Sequence, residues 1–123
     1  MTNAAASPAE KPMLYKIADW ALRLLIATAF AAAAAAKLAG APPMVDIFAK
    51  LGFGQWFRYV TALVELSGAL LIAIPASALL GALLLGATMV CAVAAHLTRI
   101  GGSPVPALIL LALVTTVFLM RRK

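Results

Sequence analysis

The stretch that decides the fold is WFRYVTALVELSGALLIAIP, residues 56–75. A run of about 20 mostly apolar residues is what a helix needs to cross the hydrocarbon core of a bilayer. Within this run Glu65 is an isolated carboxylate with apolar residues on both sides. A charge at that depth costs about 2.5–3.5 kcal/mol on insertion scales, and it marks a functional site by default. Glu65 therefore needs a partner, and the candidates are Arg23, Lys37, Arg58 and His96.

The composition is that of a membrane protein with one domain. The chain has 123 residues and 65% of them are hydrophobic, whereas soluble domains contain about 45–50% apolar residues. The formal net charge is +6, but the cations lie at the ends of apolar runs, as expected of residues that flank membrane spans. This distribution argues against a nucleic-acid partner. The single cysteine excludes an intramolecular disulfide.

Four apolar runs predict an all-α, integral membrane four-helix bundle. Backbone groups in hydrocarbon must be satisfied within their own segment, so the runs form helices. Pro75 and Ser77 form a tight hinge that makes the second and third helices an antiparallel hairpin. Residues 1–12 are polar and rich in Ala and Pro, which predicts a disordered tail before a single domain over 13–123. The four runs are 17–36, 56–74, 77–97 and 105–120.

The long connection between the first and second runs predicts a short helix. Pro42 and Pro43 break the first helix, and the residues after them alternate apolar and charged side chains in an amphipathic pattern. Such a helix lies at the membrane interface or folds over the bundle. Gly52 and Gly54 are suited to end it.

With four spans, both termini lie on the same side of the membrane. The terminal side carries Lys11, Lys16, Arg121, Arg122 and Lys123, with Arg23 near the membrane edge, and the other side carries Lys37, Lys50, Arg58 and Arg99. The positive-inside rule then favours cytoplasmic termini. The sequence thus predicts a multi-pass protein of the bacterial inner membrane.

Spacing predicts a polar pocket in the outer half of the bundle. Arg58 precedes Glu65 by seven residues, so both lie on one helical face. Lys37 and His96 are expected at the outer ends of the first and third spans. Arg23 precedes Lys37 by fourteen residues and shares its face. The pocket can bind a small ligand, a quinone headgroup or protons, or it can be a structural network that fixes the order of the helices.

No catalytic or metal-binding residue stands out in this sequence. Bis-histidine haem ligation needs two histidines, and the chain has one. The ligand sets of zinc and iron–sulfur sites are also missing. We therefore expect no covalently bound cofactor and no complete catalytic site.

The polar and small residues occur in an order that resembles a known family. The motifs are Arg23…Lys37-Leu38, Phe48…Leu51-Gly52, Tyr59…Glu65-Leu66…Gly68, Pro75 and Ala95-His96. Together they resemble the DoxX-like family of small four-helix membrane proteins. The family takes its name from a small subunit of a thiosulfate:quinone oxidoreductase. The resemblance implies a link to quinone-coupled electron transfer, a redox-enzyme partner, and shared polar residues at Arg23, Lys37, Glu65 and His96.

Three functions remain open at this level. The first is an accessory subunit of a quinone- or redox-linked membrane complex, in which the partner carries out the chemistry. The second is a small-solute or proton-coupled transporter. Small multidrug-resistance proteins have a similar length, but they carry their key glutamate in the first helix, whereas Glu65 lies in the second span. The third is a structural scaffold, and homo-oligomerisation stays open for all three.

Overall fold

The chain is helical almost throughout in the computed structural model, which describes residues 12–122. A 3-10 turn, Pro75–Ser77, precedes the helix Ala78–Ala95, and a π-helical turn, His96–Ile100, extends it. No strand occurs among the described residues, so the all-α prediction is confirmed. The predicted tail lies outside the described residues except for Pro12. The five helices are α1 (Met13–Ala39), α2 (Pro42–Leu51), α3 (Trp56–Ala73), α4 (Ala78–Ala95) and α5 (Val105–Arg121).

Three helical stretches are long and apolar enough to cross a membrane. They are Met13–Ala39, Trp56–Ala73 and Pro75–Ile100. Helix α5 is also apolar but has 17 residues. Large apolar side chains point outward from these stretches, and Leu70 is 65% exposed. An outward apolar surface is what contact with lipid requires, because lipid tails do not penalise it.

The core lies where α1, α3, α4 and α5 meet. Ile26 and Phe30 of α1, Ile72 of α3 and Leu85 of α4 are fully buried there, and Val114 of α5 is nearly so. Helix α1 packs on α3, α3 packs on α4, and α4 packs on α5. Helices α3, α4 and α5 therefore each bury a face against the helix next to them in this series, and α1 buries its face against α3 and α5.

The short helix predicted between residues 41 and 54 is α2. Its apolar residues Phe48 and Leu51 are buried, and the Phe48 ring packs edge-on against Phe57 at the start of α3, with centroids 6.0 Å apart. Gly52 ends the helix with a φ of 83°, which a residue without Cβ adopts readily. Helix α2 thus covers the end of the bundle at which α3 begins.

The hinge between α3 and α4 is built around a missing backbone donor. Pro75 has no N–H, so the carbonyl of Leu71 loses its usual helical donor. The Ser77 hydroxyl replaces that donor and bonds the Leu71 carbonyl at 2.9 Å. The Ser77 N–H bonds the Ile74 carbonyl at 3.1 Å and closes the turn. The predicted tight hinge is confirmed.

Two glycines let α3 and α4 approach closely below this hinge. A Cβ on Gly81 would lie 2.4 Å from the backbone nitrogen of Ile72, and a Cβ on Gly68 would lie 2.4 Å from Leu85 Cδ2. The contact at Gly81 is with backbone, which cannot rotate away. Small residues at such positions are typical of helix pairs in membranes.

We expect Gly81→Ala to destabilise the protein by about 1–3 kcal/mol, because the added methyl group overpacks a backbone contact. The matched control is Gly86→Ala, whose Cβ would meet Val114 Cγ1 at an ordinary 3.7 Å. The control should be neutral or stabilising, since alanine is the better helix former. The free energy of unfolding in detergent measures both variants. Equal stability of the two variants would contradict the close approach.

Candidate functional site

Glu65 and Lys37 form a buried ion pair between α3 and α1. Lys37 Nζ lies 2.9 Å from Glu65 Oε1, and Glu65 is 3% exposed while Lys37 is 9% exposed. Glu65 lies in the middle of α3, whereas Lys37 lies in the last turn of α1. The expectation that Glu65 faces the interior beside a cation is confirmed. Its part in ligand binding stays a prediction.

Arg58 supports this pair through the backbone of α1. Gly40 ends α1 with a φ of 73°, and the Arg58 guanidinium donates through Nη1 to the carbonyl of Lys37. Its Nε donates to Gln55 Oε1 at 2.9 Å, and its Nη2 donates to the Tyr59 hydroxyl at 3.2 Å. A cation at a helix C-terminus also interacts favourably with the helix dipole. Arg58 therefore fixes the turn from which the Lys37 side chain extends.

Gln55 connects the same site to α2. Its side-chain oxygen accepts from Arg58, and its side-chain nitrogen donates to the carbonyl of Val45 at 3.0 Å. Three helices are thus joined by hydrogen bonds to one guanidinium and one amide. Charge-assisted hydrogen bonds of this kind are stronger than neutral ones. The sequence did not single out Gln55, although its position directly before an apolar helix was a signal for a residue at a helix start.

His96 lies at the end of α4, as predicted, and contacts a backbone carbonyl there. Its Nδ1 is 3.0 Å from the carbonyl oxygen of Gly101, and the N–H of Gly101 bonds back to the His96 carbonyl at 3.1 Å. The π turn and the left-handed φ of 75° at Gly101 fold the loop back onto the ring. The structure therefore joins His96 to this loop, and it does not bring the ring into the Lys37–Glu65 pair.

Arg23 belongs to a second polar centre at the other end of α1. Arg23 is fully buried, and its Nε lies 3.1 Å from Asp19 Oδ2. Its Nη1 donates to the carbonyls of Ile72 at 3.1 Å and Ala73 at 2.9 Å. The structure does not bring Arg23 to the Lys37–Glu65 pair, and Arg23 lies toward the end of the bundle at which α1 begins. Fourteen residues span about 21 Å along a helix, so a shared face still separates the two cations by that distance. A part for Arg23 in ligand binding stays a prediction.

Asp19 and Arg121 complete this second centre. Arg121 Nη1 lies 3.0 Å from Asp19 Oδ2, and Arg121 Nη2 donates to the carbonyl of Pro75 at 2.6 Å. The sequence analysis missed Asp19 as a site residue. The signal was its spacing from Arg23, because residues four apart on a helix lie side by side and form ion pairs. Nothing in the sequence pairs either residue with Arg121, which lies 102 positions after Asp19.

We expect Glu65→Gln to lower the free energy of unfolding by about 1–3 kcal/mol, because it leaves the buried ammonium of Lys37 without its counter-ion. The matched control is Asp46→Asn, the same chemical change at an exposed position on α2. A Glu65→Leu, Lys37→Met double variant should recover part of the loss, since removing both charges leaves no unpaired group. Reversible unfolding in mixed micelles measures the three variants. A Glu65→Gln protein as stable as the control would contradict the ion pair.

The comparison with known proteins gives one match. Residues 21–119 match the sequence profile of the DoxX-like family. No curated protein and no solved structure matches the chain. The matched segment contains all five predicted site residues, whereas Asp19 and Arg121 lie just outside it.

Proposed function

Because this chain belongs to the DoxX-like family and has helices able to span a membrane, it is a small multi-pass membrane protein, and we propose that it serves as an accessory subunit of a quinone- or redox-linked membrane complex. In this proposal the Lys37–Glu65 pair is the polar site within the membrane. A partner subunit carries out the electron transfer. The complex lies in the bacterial inner membrane.

The proposed topology has four spans with both termini in the cytoplasm. Its support is that the start of α1 and the end of α5 contact each other. The Tyr15 hydroxyl donates to the Met120 carbonyl at 2.9 Å, and Arg121 pairs with Asp19. Helix α5 thus returns to the end of the bundle at which α1 begins. In this arrangement α2 lies at the outer membrane surface, and the cations near both termini favour the cytoplasmic side.

We expect a reporter that is active only in the cytoplasm to be active when fused after Lys123. A reporter that is active only in the periplasm should be active when inserted after Gly54, between α2 and α3. Both insertions keep the helices intact, because they fall at helix ends. Activity of the periplasmic reporter after Lys123 would invert the proposed topology.

The observation that carries the functional proposal is the ion pair in the middle of α3. An ionisable pair inside a membrane span is unusual and tends to mark a path or a binding site. The Lys37 ammonium is a donor suited to a quinone carbonyl oxygen, and the Glu65 carboxylate is an acceptor suited to a quinol hydroxyl. The two groups lie 2.9 Å apart, so one headgroup edge can contact both. This donor and acceptor pair is compatible with both redox forms of such a headgroup.

A second candidate function is a structural scaffold, and the hydrogen bonding of Arg58 favours it. Its Nε, Nη1 and Nη2 each have an acceptor within the protein. A network with its donors already satisfied holds helices in order without needing a ligand. In that case the ion pair specifies which face of α1 meets α3.

Glu65→Gln distinguishes the two functions when the protein is purified in native nanodiscs. If the pair is a ligand site, the folded variant should contain at least severalfold less quinone and less of its redox partner than the wild type, by mass spectrometry. Asp46→Asn should retain both. If the pair is a scaffold, Glu65→Gln should lose stability while each folded molecule keeps its quinone and partner content. Absence of quinone and of redox enzymes from the wild-type preparation would overturn the accessory-subunit proposal.

A further inference from the structure

We propose that the end of the bundle at which α1 begins and α5 ends binds an anionic phospholipid, with its phosphate in a cationic cavity and one acyl chain in an adjoining groove. The cavity and the groove are separate from the Lys37–Glu65 pair. That the phospholipid belongs to the inner leaflet rests on the proposed topology; the site itself does not.

The cavity carries an excess of positive charge. Its volume is about 340 Å³, and it opens between α1, the α3–α4 hinge and the end of α5. Three cations and one carboxylate line it, so a phosphate is attracted even with Asp19 present. Basic pockets between membrane helices are typical sites for anionic headgroups. The lining residues are Tyr15, Lys16, Asp19, Trp20, Arg23, Pro75, Met120 and Arg121.

Two buried atoms beside this cavity lack hydrogen-bond partners among the described residues. They are Oδ1 of Asp19 and Nη2 of Arg23. Buried polar atoms nearly always have a partner, so each exception calls for an explanation. Arg23 Nη2 is a donor and Asp19 Oδ1 is an acceptor. Both atoms are closed to solvent, so in this proposal the two side chains turn toward the cavity when a headgroup binds. A headgroup such as phosphatidylglycerol then offers both complements, because its phosphate oxygens accept and its glycerol hydroxyls donate.

Lys16 and Trp20 are placed for such a headgroup. Lys16 is exposed at the cavity rim, where its ammonium can reach a phosphate. Trp20 is 46% exposed, and its ring covers the Arg23 guanidinium at 4.3 Å from the ring centroid. Tryptophan is enriched at the level of lipid headgroups. The two side chains thus place the cavity at the depth where phosphates lie.

An apolar groove lies near the cavity, along the seam between α1 and α3. Its volume is about 260 Å³, and it extends about 10 Å from Ala73 to Leu66 at the helical rise. Ala27 and Ala31 line it on the face of α1 that also carries Trp20. The bond from Arg23 to the Ala73 carbonyl joins the cavity to the groove. The lining residues are Ala27, Thr28, Ala31, Leu66, Ala69, Leu70 and Ala73.

The cationic cavity and the apolar groove together indicate which kind of ligand binds. A free phosphate would use the cavity but not the groove. A quinone would fill a groove but has no negative charge for three cations. An anionic phospholipid uses both, since its phosphate and its acyl chain belong to one molecule. The polar cavity lies toward the end of the bundle and the apolar groove lies deeper between the helices. A lipid in a bilayer has the same order, with its headgroup outside and its acyl chain inside.

Native mass spectrometry of the delipidated protein tests the headgroup. We expect phosphatidylglycerol to bind more tightly than phosphatidylcholine of the same chain length. Lys16→Gln should weaken phosphatidylglycerol binding about fivefold, the usual effect of one basic residue near an anionic surface. The matched control is Lys50→Gln, an exposed lysine on α2 at the far end of the bundle. Equal binding of the two lipids, or equal loss in both variants, would overturn the proposal.

Ala31→Leu tests the groove, and Ala32→Leu is its control because Ala32 is exposed outside the groove. The first should weaken phosphatidylglycerol binding severalfold, and the second should leave it unchanged. Glycerol 3-phosphate, which has no acyl chain, should neither bind nor compete at the same concentration. If it competes equally well, the site takes a free phosphate and the lipid proposal fails. These variants leave Glu65 intact, so quinone content reports separately on the accessory-subunit function.

Discussion

Pro75 interrupts the backbone hydrogen bonding of the helical hairpin, and the polar side chains at this end of the protein are arranged around the carbonyls at the end of α3 and in the hinge. In an apolar environment each free carbonyl needs a donor from the protein itself. Arg23 supplies donors to the carbonyls of Ile72 and Ala73, and Arg121 supplies one to Pro75. Asp19 holds both arginines through one carboxylate oxygen. The turn of α3 into α4 therefore draws α1 and α5 to the same point.

The same physical solution recurs at the other end of the protein. Arg58 donates to the carbonyl of Lys37 at the end of α1, and Arg99 donates to the carbonyl of Leu51 at the end of α2, at 3.3 Å. A guanidinium suits these positions because it has several donors in a fixed plane and its charge complements a helix C-terminus. Since Arg58 fixes the end of α1, it also fixes where Lys37 can meet Glu65. The position of the Lys37–Glu65 ion pair thus depends on Arg58, which is not a member of the pair.

Both polar centres contain buried atoms without a hydrogen-bond partner among the described residues. Glu65 Oε1 is one of them although it lies 2.9 Å from Lys37 Nζ, and a ligand there must exchange with this ion pair. Around Arg23 and Asp19 one donor and one acceptor remain without partners beside an open cavity. In the two proposals above, the first centre contacts a quinone headgroup and the second binds a lipid phosphate.

The sequence alone predicted the helical segments, the breaks between them and the need for a partner at Glu65, because these follow from local features: apolar runs, the prolines at 42, 43 and 75, and an isolated carboxylate. It did not determine which cation forms an ion pair with Glu65. Helical spacing gives the face and depth of a residue but not the rotation of one helix against another, so the sequence left Arg23, Lys37, Arg58 and His96 open as partners of Glu65. The pairing of Asp19 with Arg121, 102 positions later, is visible only in the tertiary structure. It depends on how α1 and α5 pack against each other, which local sequence does not specify.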